Sequence, residues 1–161
     1  MKKIPSCILS LVILISSCSG NNLIPVPDYN GEIEELEAEL VCTIRDGKFK
    51  VGNVTSLAVV DDSTFAIVAD YDKVLLYDKA GEQKRIVGRK GRADNEYLFP
   101  GPVRAEGGKI YVWSAQTLRF NIYGPDCKYE RSVSYDSAVM DFVPVAGKLY
   151  VYPAGVNATR G

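Results

Sequence analysis

Histidine is missing from all 161 residues. Its absence removes the commonest general base, the commonest zinc ligand and every triad built on an imidazole. Basic residues are not in excess either: 19 Lys and Arg face 20 Asp and Glu, which argues against a nucleic-acid partner, since that would ask for a basic face. No apolar run is long enough to act as a stable membrane span, the longest being Ile8 to Ile15. The glycine-rich stretch "GRKGRADNEYLFPGP", residues 88–102, is not a nucleotide-phosphate loop, because neither Lys-Ser/Thr nor a helix start follows its glycines. No full loop of oxygen ligands for calcium is visible. No cofactor, metal ion or catalytic residue is therefore expected.

What is present begins at the N-terminus. Lys2 and Lys3, the apolar run and then Ser16-Ser17-Cys18 have the order of a secretory signal. The end of that run, "LVILISSC", resembles the lipobox of bacterial lipoproteins. The resemblance implies cleavage before Cys18 and a diacylglycerol on its thiol; the alternative is an ordinary signal with an incidental cysteine. Acyl chains bury methylenes at about 0.8 kcal/mol each, so two or three of them hold a protein on its membrane. The chain then divides into a signal peptide (1–17), a lipidated cysteine with a polar and Pro-containing tether (18–35) and a globular domain (36–161). Ser19 after the cysteine resembles outer-membrane sorting signals, whereas the acidic run that marks surface export in Bacteroidetes lipoproteins is missing. The expected place is the periplasmic side of the outer membrane. Lys2 and Lys3 leave with the signal, so 17 of the 19 basic residues remain against 20 acidic ones, a net charge near −3. Cys7 also leaves and Cys18 carries lipid, so Cys42 and Cys127 are either bridged or two buried thiols.

The globular part repeats itself. "STFAIVAD" (63–70), "GKIYVWSA" (108–115) and "GKLYVYPA" (147–154) align with Phe65, Ile110 and Leu149 as equivalents, at offsets of 45 and 39 residues. Such a period belongs to architectures that stack one supersecondary unit. An apolar run and a turn precede each string: "LAVV" with Asp61-Asp62-Ser63, "PVRA" with Gly107-Gly108, and "DFVPV" with Ala146-Gly147. "KVLLYDKAGE" and "QKRIV" follow in the first unit, "TLRFNIYGPDCK" and "YERSV" in the second. Each unit thus reads as four strands joined by tight turns. The strings are apolar on both faces and need cover on both, while Leu118, Phe120 and Ile122 alternate with Arg119 and Asn121, as in a strand nearer water. The segment "EELEAELVCTIRD" alternates at Leu36, Ala38, Leu40, Cys42 and Ile44 and reads as a strand that completes a sheet.

An all-β fold of four-stranded antiparallel blades fits these patterns, with a flat solenoid or sandwich as the competing architecture. The stretch 88–102 is then an interblade connector. Its Gly88, Gly91, Glu96, Tyr97 and Pro100, followed by Lys109-Ile110-Tyr111-Val112, Phe120 and Tyr123, with Tyr77-Asp78 and Gly81 in the preceding unit, resemble the consensus of NHL repeats and of TolB-like six-bladed β-propellers found among Bacteroidetes lipoproteins. The likeness spans residues 36–156 and departs from the family at Ala93-Asp94-Asn95, where Gly-Pro-Gly is common. At about 40 residues per unit the chain holds about three blades. The resemblance implies the N-terminal half of a six-bladed ring, closed by the rest of a propeller or by a second copy.

Candidate ligand groups are few. Arg89, Lys90 and Arg92, with Lys84 and Arg85 beside them, offer forks for an anion such as a uronic acid or a phosphate, or are a solvated loop face. Asp70 and Asp72 are a possible calcium pair or simply turn residues. Trp113, Tyr111, Tyr150 and Tyr152 are a sugar-stacking platform or blade packing. Asp62-Ser63-Thr64 and Asp136-Ser137-Ala138 resemble the O-glycosylation motif of Bacteroidetes envelope proteins, at Ser63 and Ser137. Three functions fit: an envelope lipoprotein that binds or scaffolds a protein or a glycan, a carbohydrate-active hydrolase or lyase whose site lies in other blades, and a truncated fragment without function.

Overall fold

Asp61 shows how this sequence ends a strand. Its carboxylate accepts the N–H groups of Ser63 (2.7 Å) and Thr64 (2.8 Å) and the hydroxyls of both, reversing the chain between β1 (Val54–Val59) and β2 (Thr64–Ala69). Asp78 does the same between β3 (Lys73–Asp78) and β4 (Gln83–Val87), accepting from Ala80 and Glu82. In the next unit Gly107 and Gly108, at φ 57° and 76°, take the left-handed conformations between β7 (Pro100–Glu106) and β8 (Lys109–Ser114). The connector at residues 88–99 contains two short strands, β5 (Arg89–Lys90) and β6 (Glu96–Tyr97), paired in parallel. The remaining strands are β9 (Arg119–Tyr123), β10 (Tyr129–Ser134), β11 (Val139–Val145) and β12 (Lys148–Pro153). The computed structural model describes residues 38–155, and all regular elements among them are strands.

The strands form two four-stranded antiparallel sheets, β1-β2-β3-β4 and β10-β9-β8-β7, followed by the antiparallel hairpin β11-β12. Cross-strand pairing sorts the side chains by face. On the first sheet Ala58, Ala66, Val68, Val74, Leu76 and Val87 meet Val103, Ile110, Val112 and Tyr123 of the second. The opposite face of the second sheet carries Tyr111, Trp113, Phe120 and Ile122, packed against Phe142, Leu149 and Val151 of the hairpin. Each fully buried aliphatic or Phe side chain contributes about 1.5–3 kcal/mol, so these two interfaces dominate the stability. First strands lie side by side, β1 against β7 and β7 against β11. A polar seam links them: Val103 N–H donates to Ser56 Oγ (3.0 Å), and Arg104 donates to the Val103 carbonyl (2.7 Å) while pairing with Asp141. The four strands expected in each of the first two units are present, in the expected order.

Several expectations change. Residues 38–53 hold no strand; they form a strap across the outward face of the first sheet, where Ile44, Phe49 and Val51 pack on Ile67, Ala69, Leu75 and Tyr77. The strap is fixed by Arg45 N–H to the Gly81 carbonyl (2.9 Å) and by the Gln83 amide, which bonds both the N–H (2.9 Å) and the carbonyl (3.0 Å) of Phe49. Alternation failed as a guide because Leu40 and Val41 point to solvent. In β9 the polar positions are enclosed rather than wet: Asn121 is fully buried and Arg119 largely so, because both reach into the connector. β12 is not covered on both faces; Tyr150 and Tyr152 are 60% and 65% exposed, since among the described residues no sheet stacks on that side. Cys42 and Cys127 are free, half-buried thiols. Residues 1–35, expected to be a signal peptide, a lipidated Cys18 and a tether, lie outside the described residues.

Candidate functional site

The connector is built inward first. Tyr97 is fully buried and its hydroxyl accepts the Val74 N–H (3.0 Å); burial pushes its phenol up. The Asn121 amide donates to the Glu96 carbonyl (2.6 Å) and the Tyr123 hydroxyl to the Asn95 carbonyl (3.3 Å), with burial pushing the Tyr123 phenol up to about 12. Gly88, at φ 65°, presses against that ring: a Cβ there would sit 2.4 Å from the Tyr123 hydroxyl. The Glu96 carboxylate accepts the Ala93 N–H (2.9 Å) and pairs with Arg89 (2.7 Å), which together hold it below the usual range. Arg119 reaches Asp94 (2.5 Å) and the carbonyls of Arg92 (2.8 Å) and Ala93 (3.3 Å). The N–H groups of Gly91, Ala93 and Glu96 are all taken inside the connector. A loop that spends its donors on itself cannot cradle a phosphate with them.

The exposed basic residues do not converge on one point. Arg89 pairs with Glu96, Lys90 with Asp72 (2.7 Å) and Lys84 with Asp78 (2.6 Å), and Arg85 donates to the Asp126 carbonyl (3.1 Å). Arg92 is exposed, beside the Ala93-Asp94 turn that Arg119 clamps. An anion binding here would compete with carboxylates already in place. Asp70 and Asp72 are likewise engaged: Asp70 accepts the N–H groups of Asn53 (2.7 Å) and Gly52 (3.1 Å), and Asp72 accepts Lys90 and Lys73. These contacts hold both carboxyls low. Among the described residues no three His, Cys, Asp or Glu gather as metal ligands. Ser63 sits in the exposed β1–β2 turn with its hydroxyl on Asp61 (2.7 Å), and Ser137 is half-buried before β11. Trp113 and Tyr111 are buried between sheets, as packing.

Sequence reasoning missed the aromatic pair that the fold does expose. Tyr71, in the β2–β3 turn, and Phe99, at the end of the connector, stack with centroids 5.0 Å apart and planes 4° from parallel. Each is 48% exposed. Both have left-handed backbones, Tyr71 at φ 52° and Phe99 at φ 55°. Asp70 precedes Tyr71 at φ 55°, and Asp72 N–H closes the turn on the Ala69 carbonyl (2.9 Å); such a turn suits Asn-Gly far better than Asp-Tyr. The left-handed region costs a bulky residue roughly 1–2 kcal/mol, whereas an aromatic contact returns about 0.5–1.5 kcal/mol for the pair. The stack therefore does not offset its own strain. Phe99 is fixed by Ala115 N–H to its carbonyl (3.2 Å) and by Leu98 N–H to Ser114 Oγ (2.9 Å). Asp72 and Lys73 follow Tyr71 directly in the chain, and Asp72 bridges Lys73 and Lys90. A tyrosine between two aspartates in a hairpin turn, "DYD", was the available signal.

No protein-family model matches the chain, and no curated protein matches it. Thirteen chains of solved structures do. Among them is a putative exported protein from Bacteroides fragilis, with a TM-score of 0.57 at 13% identity over 62% of this chain. The match spans 29% of that protein's own length. At this identity the likeness is one of fold: an all-β chain of four-stranded antiparallel sheets.

Proposed function

We propose that this chain is a membrane-tethered binding module of the cell envelope, and that its sheets are blades of a TolB-like or NHL-like β-propeller. The stacking supports the architecture: two four-stranded meanders and a hairpin lie face to face with their first strands adjacent, as blades around an axis would. The sequence "LVILISSC" supports a lipid on Cys18 and a place on the periplasmic side of the outer membrane. A neighbour of similar fold described as a putative exported protein supports export to the envelope. The ring is completed by further blades or by a second copy, and Ser63 and Ser137 are candidate O-glycosylation sites.

One observation carries the binding role: an exposed aromatic pair kept in a strained backbone. Strain of this kind clusters at ligand sites. The partner classes are an envelope protein or a glycan. The tether is tested by feeding cells an alkyne fatty acid and taking the intact mass of the full chain from its membrane. Label and membrane association should both be present, and both should vanish in Cys18→Ala. A Cys18→Ala chain that keeps its lipid overturns the lipobox assignment.

A further inference from the structure

Building on the binding-module reading, we infer that Tyr71 and Phe99 form a platform for a neutral pyranose ring of a glycan. The two rings come from separate sheets, the first through the β2–β3 turn and the second through the connector, yet lie parallel within 4°. Each anchor is rigid: the Asp70 carboxylate ties the Tyr71 turn to Gly52 and Asn53, and Ser114 and Ala115 hold the chain at Leu98 and Phe99. Because the rings stack face to face, each backs the other and the free aromatic surface is the outward side of the pair, which suits a ligand that itself presents a flat face of C–H bonds. The border is polar and balanced in charge, since Asp72 bridges Lys73 and Lys90 while the Asp70 carboxylate lies within the field of Lys73, two acidic groups against two basic ones. It offers acceptors and donors to hydroxyl groups without a bare charge to draw in an anion. A pyranose has that combination, an apolar ring face and a rim of hydroxyls. The bulky side chains sit where glycine or asparagine would relax the backbone, so the stack is explained by what lands on it rather than by what it adds to the fold.

The test uses the full chain in detergent with cellohexaose, mannohexaose and xylohexaose as probes, read by saturation-transfer NMR and calorimetry. At least one sugar should bind at about millimolar or better. Tyr71→Asn and Phe99→Gly should weaken that sugar about tenfold or more, while each raises Tm by relieving its left-handed residue. A purely structural stack would lower Tm instead. Absence of binding to all three sugars overturns the inference, as does unchanged affinity in Tyr71→Asn. A photo-crosslinking residue at position 71 that captures an envelope protein, with no sugar bound, also overturns the glycan assignment but leaves the binding-module reading standing.

Discussion

Asp61 illustrates what one side chain can set. Four hydrogen bonds from Ser63 and Thr64, the Ser63 hydroxyl and N–H foremost, hold its carboxyl down to about 2, below the roughly 3.9 of an unfolded aspartate. Because the folded value is the lower one, the charged carboxylate stabilises the fold above about pH 4, and that contribution disappears as pH falls through about 2. The group faces solvent, so screening keeps the effect modest. Thermal melts at about pH 5, 3 and 2 should show Tm falling across this range, and Asp61→Asn should flatten that part of the profile. An unaltered profile in the variant would mean that other carboxylates carry the acid sensitivity. The Asp61 turn was legible in the sequence, since Asp-Asp-Ser between two apolar runs has a known turn chemistry. The Tyr71–Phe99 pair was not, because a turn signal says where the chain reverses and nothing about what its side chains meet from another sheet.

Among the elements, the connector explains why the polar positions of β9 are buried. Arg119 and Asn121 bond its carbonyls, and Tyr123 supplies the ring on which Gly88 rests. Gly88→Ala should cost about 2–4 kcal/mol, combining left-handed backbone with a collision against a packed ring, which denaturant unfolding would read directly. A loss under about 1 kcal/mol would show that the ring swings aside. The strands themselves were readable: "STFAIVAD" and "GKIYVWSA" became β2 and β8, buried on both faces as their composition required. Alternation misled in two places, in opposite directions. A polar residue in a strand counts as wet only when nothing polar waits for it, and β9 faces a connector full of carbonyls. The strap at 38–53 fails the other way, its apolar residues being divided between sheet and solvent. The five basic residues around the connector looked like a cluster in sequence, and they separate because Lys84, Arg85, Arg89 and Lys90 each find their own carboxylate or carbonyl nearby.

At the scale of the whole molecule, two apolar surfaces stand open among the described residues. One is the outward face of the first sheet, where Leu57, Val59 and Phe65 with Val41, Cys42 and Ile44 of the strap line a groove of about 400 Å³. The other is the hairpin's outer face, with Val143, Tyr150 and Tyr152. Surfaces of this kind drive association in water. Light scattering of the full chain should therefore show a weight that grows with concentration, and Val59→Lys or Tyr150→Lys should each reduce it. A chain that stays monomeric at all concentrations would mean these faces are quiet without a partner.

The repeat gives those two surfaces unlike characters. Leu57, Phe65 and Ile67 hold the places that Val103, Ile110 and Val112 hold one unit later, so the first face is of the receiving kind and the hairpin's face of the donating kind. The stack consequently has a head and a tail. Self-contact would be heterologous, and the angle between successive copies decides whether it returns to its start as a ring or runs on as a filament. Growth of such a string obeys the logic of chain termination: blocking only the head, or only the tail, on a minority of molecules is enough to lower the average string length of the sample.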